Sequence, residues 1–124
     1  MKIILKNGTE LNPIVVTGGS SFVHGAKRDT LYFVFHSTED MAMLDAAFSE
    51  SACESITIVG DDGSENIHKA YTIRAKMEKA PVEVAPATAE TEAVTEERIT
   101  VAMAQRTYTE TKLAALSALL EGKV

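Results

Sequence analysis

Asp29-Thr30-Leu31-Tyr32-Phe33-Val34-Phe35 runs into Ser37 to Glu50 and then into Glu54-Ser55-Ile56-Thr57-Ile58-Val59. The first segment is rich in β-branched and aromatic residues, which suit a pleated sheet. Side chains alternate across a strand, so Leu31, Phe33 and Phe35 share one face and Tyr32, Val34 and His36 the other. Both faces are largely apolar, which predicts a central strand covered on both sides. A helix is then expected from Ser37 or Thr38, whose hydroxyls suit a cap, with Glu39 and Asp40 at the positive end of the dipole. Met41, Leu44 and Phe48 recur at helical spacing, with Ala47 filling in, so this helix is expected to cover one sheet face. The third segment again reads as a strand.

Upstream, Lys2 to Lys6 and Glu10 to Val16 flank Asn7-Gly8, a strong signal for a type I′ hairpin. Pro13 makes the second arm an edge strand or breaks it. Gly18-Gly19-Ser20-Ser21 reads as a loop, and no GxxxxGK[ST] pattern follows it to suggest a phosphate cradle. Phe22 to Ala26 reads as a short strand. Downstream, Gly60 to Asn66 reads as a solvated hairpin turn, because the spacing of a calcium loop is missing. Tyr71 to Glu78 alternates cleanly, with Tyr71, Ile73, Ala75 and Met77 inward and Thr72, Arg74, Lys76 and Glu78 outward. The phase slips at Lys79-Ala80-Pro81, predicting a bulge or break. Residues 85–97 are almost all Ala, Thr, Glu, Pro and Val, an acidic stretch with little to bury. Arg98 to Gln105 returns as a strand, expected antiparallel to Tyr71–Glu78 with Ile99, Val101 and Met103 inward.

The last element is a helix over about 109–121, with Thr109 as its cap and Gly122 as its stop. Leu113, Leu116, Leu119 and Leu120 give it a wide apolar face. Isolated helices of about 12 residues are marginal in water, so this one must pack on its own sheet or on a partner.

The 124 residues suit one domain. No apolar run approaches the roughly 18 residues of a membrane span, and the N-terminal segment lacks the apolar core of a secretion signal. One cysteine, Cys53, excludes an internal disulfide and fits a reducing compartment. Glu83, Glu90, Glu92, Glu96 and Glu97 fall in a stretch without Lys or Arg, and removing them from the formal net charge of −6 leaves −1 for the rest. That balance argues against nucleic-acid binding.

His24, His36 and His68 lack metal-ligand spacing, Cys53 has no CxxC partner, and Asp61 and Asp62 are neighbours in a turn. No GxSxG, HExxH or dinucleotide pattern occurs. Arg74, Lys76 and Arg98, with Glu78 beside them, are expected to share one solvated sheet face. The sequence thus assigns no catalytic, cofactor or metal site, and it points to Leu113, Leu116, Leu119 and Leu120 as interaction residues.

The fold expected is α+β: mainly antiparallel sheet or a partly open barrel, with one helix packed on it at about 38–50 and a C-terminal helix at about 109–121. Residues 1–108 form one domain with a flexible acidic loop at about 80–97, and 109–124 form a packing or assembly element. The clusters Arg28-Asp29-Thr30-Leu31, Leu44-Asp45-Ala46-Ala47-Phe48 and Cys53-Glu54-Ser55-Ile56-Thr57-Ile58 resemble small proteins from tail or baseplate gene clusters of phages and prophages of Gram-positive bacteria. The ending Ile99 to Gln105, with Thr107-Tyr108-Thr109-Glu110 and the leucine-rich helix, resembles them too. The resemblance carries no catalytic signature. It implies a non-enzymatic virion component that assembles with itself or other tail proteins, located in the tail or in host cytoplasm during assembly. The alternatives are a stand-alone binding module for a small ligand or host protein, and a small enzyme with an unrecognised site.

Overall fold

The computed structural model describes residues 1–107, 109–110, 112–113 and 116–117. Among the described residues there are eight strands: β1 (Lys2–Leu5), β2 (Glu10–Leu11), β3 (Val15–Val23), β4 (Ala26–His36), β5 (Ser55–Val59), β6 (Glu65–Lys69), β7 (Ile73–Ala85) and β8 (Val94–Ala104). One helix, α1 (Met41–Ala47), and a 3-10 turn at Ala52–Glu54 lie between β4 and β5. The strands form two four-stranded antiparallel sheets, ordered β2-β1-β5-β6 and β3-β4-β8-β7, and the sheets do not close into a barrel.

A single core joins the two sheets. Ile3, Leu5, Leu11 and Ile56 come from the first sheet, and Leu31, Phe33, Phe35, Ile99, Val101 and Met103 from the second. From α1, Leu44 is buried, and Phe48 follows it, packing on Phe33 and Phe35 at ring-centroid distances of 5.1 and 6.0 Å. The expected inward set of β4 is therefore correct. Its other face is only partly covered, since Tyr32 and Val34 are half-buried and His36 is exposed.

The helix is shorter than the sequence suggested. Asp40, not Ser37 or Thr38, caps it, its Oδ1 accepting from the Ala42 N–H at 2.9 Å. Past Ala47 the chain turns away. Arg74 reaches across from β7 and donates to the carbonyls of Asp45 (3.2 Å) and Phe48 (3.1 Å), supplying the cation that the helix's own last turn lacks.

The hairpins also differ from expectation. The type I′ turn falls at His24-Gly25, where both residues have positive φ (49° and 76°), between paired Val23 and Ala26. At Asn7-Gly8 only Gly8 is left-handed (φ 88°). There Leu5 N–H donates to Thr9 O and Gly8 N–H to Leu5 O, each at 2.9 Å, which makes a three-residue loop ending in a left-handed glycine. The β5–β6 turn repeats it: Gly60 N–H donates to Ser64 O (2.8 Å), Gly63 N–H to Gly60 O (3.0 Å), and Gly63 has φ 84°. In both loops the Asn7 or Asp62 side chain accepts from the N–H two residues on.

Two stretches read as irregular are regular strand. Gly18 to Ser21 lies inside β3, paired with Arg28 to Leu31 of β4. Gly19 suits this place because an added Cβ would stand 3.0 Å from the Tyr32 ring. Likewise β7 does not break at Lys79–Pro81. It runs to Ala85, with irregularities at Arg74/Lys76 and Glu83/Ala85, and Pro81 sits across from Glu97 on an edge strand, the place in a sheet where proline is tolerated. The β7–β8 hairpin thus extends as a paired arm as far as Ala85 and Val94, and residues 86–93 of the acidic stretch form its tip. Its tip is drawn in by Thr88, whose N–H donates to Thr91 O (2.8 Å) and whose hydroxyl accepts from the Thr91 N–H (3.0 Å).

Candidate interaction surface

Thr109, Glu110, Lys112, Leu113, Leu116 and Ser117 are helical. Thr107 and Glu110 form the cap: the Glu110 carboxylate accepts from Thr107 N–H (2.9 Å), and Thr107 Oγ1 accepts from Glu110 N–H (3.3 Å). This reciprocal pair is a capping box. Its signature, Thr107-x-x-Glu110, stands in the sequence, so the cap lies two residues earlier than the expected Thr109.

Glu110 also anchors the segment to the sheet. Arg28 of β4 is buried, with 4% of its surface exposed. Its Nε donates to Val23 O (2.8 Å), Nη2 to His24 O (3.2 Å) and Nη1 to Gln105 O (3.3 Å). Both Nη atoms donate to the Glu110 carboxylate, Nη2 at 3.0 Å. Five bonds match the five donors of a guanidinium. Arg28 holds the Glu110 carboxyl down at about 2, with help from the Thr107 N–H. Arg28 thereby ties the β3–β4 turn to the start of the helical segment. Arg28, Thr30, Ala102 and Ala104 form a buried patch beside it on the second face of the sheet.

From this fixed base Leu113 and Leu116 remain 61% and 53% exposed. Leu119 and Leu120 lie outside the described residues. An anchored segment with leucines in water has the features of a contact surface.

The other candidates do not converge. His24 lies in the β3–β4 turn, His36 ends β4, and His68 on β6 packs edge-on against Tyr71 at 5.8 Å. Among the described residues no group of three or more His, Cys, Asp or Glu could hold a metal ion. Cys53 is fully buried, and desolvation pushes its thiol up to about 11 despite Arg74 nearby, so it is neutral and inert at pH 7. Asp61 pairs with the Met1 amine while Asp62 accepts from Ser64, whose side-chain hydrogen bond lowers its carboxyl; the two point to different partners.

The expected basic face is also corrected. The irregularity at Ala75 turns Arg74 to the core side, where it pairs with Asp45 (2.7 Å) and donates to the sulfurs of Met77 and Met103. Lys76 and Glu78 stay together on the solvated face, paired at 2.7 Å, and Arg98 pairs with Glu96 at 3.2 Å.

An open groove of about 480 Å³ lies beside the Arg28 anchor, lined by Arg74 and Arg106 with His24, Glu50, Thr72 and Glu110. Both arginines already hold acids, Arg106 pairing with Glu54 at 2.6 Å. No described helix is long and apolar enough to cross a membrane. No protein-family model matches the chain, and neither a curated protein nor a solved structure is similar to it.

Proposed function

We propose that this chain is a non-enzymatic structural component of a phage or prophage tail or baseplate, working by protein–protein assembly with itself or with other tail proteins. The observation that carries the assembly reading is the pair Leu113 and Leu116, exposed on a helical segment whose base is locked by Arg28 and Glu110. The resemblance of the quoted clusters to tail-region proteins supplies the setting. Neither nucleic acid nor membrane is a partner in this reading, and the protein resides in the virion tail or in host cytoplasm during assembly. The test is capture of the tail proteins encoded beside it by the full chain and by a Leu113→Ser, Leu116→Ser double variant. Capture by the full chain and loss in the variant supports the reading. A chain that captures none of them and stays monomeric at high concentration overturns it.

The groove favours a second reading, a binding module for a small anion, because its volume falls within the roughly 300–1,000 Å³ of ligand sites. It is the weaker one, since a ligand would have to displace Asp45 or Glu54 from the arginines. Calorimetric titration with small dicarboxylates and phosphates checks it.

A further inference from the structure

Four strands form the sheet edges among the described residues: β2, β6, β3 and β7. An open edge presents unpaired N–H and C=O groups, and proteins blunt it with charge, proline or brevity. Three edges are blunted in this way. β2 has two residues and is followed by Pro13, β6 carries Glu65 and Lys69, and β7 carries Pro81 among several lysines and glutamates. β3 is the exception. Its nine residues, Val15-Val16-Thr17-Gly18-Gly19-Ser20-Ser21-Phe22-Val23, include neither a charge nor a proline. Most of them are exposed, and Phe22 is 77% exposed.

The strand is also close to a palindrome. We propose that β3 pairs antiparallel with β3 of a second copy, about a two-fold axis at Gly19, joining two four-stranded sheets into one of eight strands. In that register Val15 stands across from Val23, Val16 from Phe22, Thr17 from Ser21 and Gly18 from Ser20. Apolar meets apolar, hydroxyl meets hydroxyl, and all nine residues are paired. Moving the axis to Gly18 sets Val15 across from Ser21, and moving it to Ser20 sets Phe22 across from Gly18. An axis between residues would place inward side chains opposite outward ones, which the pleat forbids. A two-fold contact requires such self-complementarity of one patch. The inference deepens the assembly reading and rests on it, but it uses a surface apart from the leucines.

Gly18 offers the test, because an added Cβ there meets nothing within 4 Å and its φ is not left-handed. Across the axis the two copies of residue 18 are diagonal neighbours, roughly 7–8 Å apart, as are the two copies of residue 20. Sedimentation equilibrium of the full chain is expected to give twice its 13.4 kDa mass. Gly18→Lys and Ser20→Glu should each weaken the dimer at least about tenfold by like-charge opposition, while Gly18→Ser leaves it intact. The double variant Gly18→Lys, Ser20→Glu should restore it, since each new cation then faces a new anion on the other copy. Circular dichroism confirms that every variant is folded. A monomeric full chain, a dimer indifferent to the single changes, or a double variant no better than either single one overturns the proposal. If Leu113→Ser, Leu116→Ser dissolves the dimer and Gly18→Lys does not, the strand-edge pairing falls while the assembly reading stands. If the full chain is monomeric yet still captures a tail protein, the same division holds.

Discussion

The β7–β8 hairpin is one ladder with two unlike halves. At its root, Met77 lies across from Val101, and Ile99, Val101 and Met103 are fully buried under α1 and the first sheet. At its far end, Val82 lies across from Glu96 and Val94 across from Ala85, with both valines largely exposed. The two halves share antiparallel pairing. They differ in what lies above them, and in the five glutamates concentrated toward the far end. Backbone pairing alone therefore does not make a strand part of the stable body; apolar cover does, because hydrogen bonds exchanged with water contribute little net.

The sharpest way to break the root is to remove its cover. Phe48→Ala, which strips the ring from Phe33 and Phe35, should cost about 3–5 kcal/mol, and Leu44→Ala about 2–5 kcal/mol, read from denaturant melts. Losses within about 0.5 kcal/mol would put α1 on the surface and erase the contrast.

A second expected effect lies at the corner where the root meets the first sheet. Ala70 is left-handed (φ 65°), its N–H donates to Glu54 O (3.0 Å), and its own carbonyl accepts from Arg106 N–H (2.9 Å). An alanine there carries strain that glycine does not, so Ala70→Gly should stabilise the protein by about 1 kcal/mol. A destabilised variant would show that entropy outweighs the strain.

Acid sharpens the comparison further. Glu110 has its folded-state carboxyl depressed to about 2 from the ordinary 4.5, through Arg28. A depressed carboxyl contributes stability above its unfolded value, and that contribution is lost as pH falls from 4.5 toward 2. Glu110→Gln should therefore flatten the melting temperature against pH within that window and leave the acidic arm's behaviour unchanged. An unaltered slope would mean that the Arg28 pair is absent in solution.

The smallest effect is expected at the far end. Val82→Ala should change stability by no more than about 0.5 kcal/mol. A Glu-specific protease should cut first after Glu90 or Glu92, with the clipped chain keeping its circular dichroism. Protection there equal to that at Val101 would make the arm part of the body.

Much of this was legible in the sequence. The inward triplets Leu31-Phe33-Phe35 and Ile99-Val101-Met103, the Leu44–Phe48 face and the β7–β8 pairing follow from side-chain period, which is local. The sheet to which each strand belongs is not local: β4 and β5 read as one unit with α1 yet lie in different sheets. Gly18 to Ser21 looked like a loop because glycine and serine rarely hold a strand by themselves, but pairing with β4 and the Tyr32 ring overrode that preference. The bulge at Ala75 left no trace in the alternation, so Arg74 was placed on the wrong face. At the candidate surface, helical spacing singles out Leu113 and Leu116, which the structure leaves exposed. Spacing does not reveal the Arg28–Glu110 anchor, because it joins residues 82 positions apart. The capping box could have been read and was missed.

The two sheets are interleaved along the chain. The first takes β1, β2, β5 and β6, and the second takes β3, β4, β7 and β8. A growing chain therefore makes β4 early and leaves one of its edges without a neighbour until β8 has been synthesised. Its N-terminal half can complete neither sheet, because the first still lacks β6 and the second still lacks β7 and β8. Pairings of such long sequence separation close slowly and keep apolar strands uncovered meanwhile. The second sheet thus cannot be completed before β8 has been made. Splitting the chain between β5 and β6 would therefore leave two pieces that each lack strands of both sheets, not two small domains.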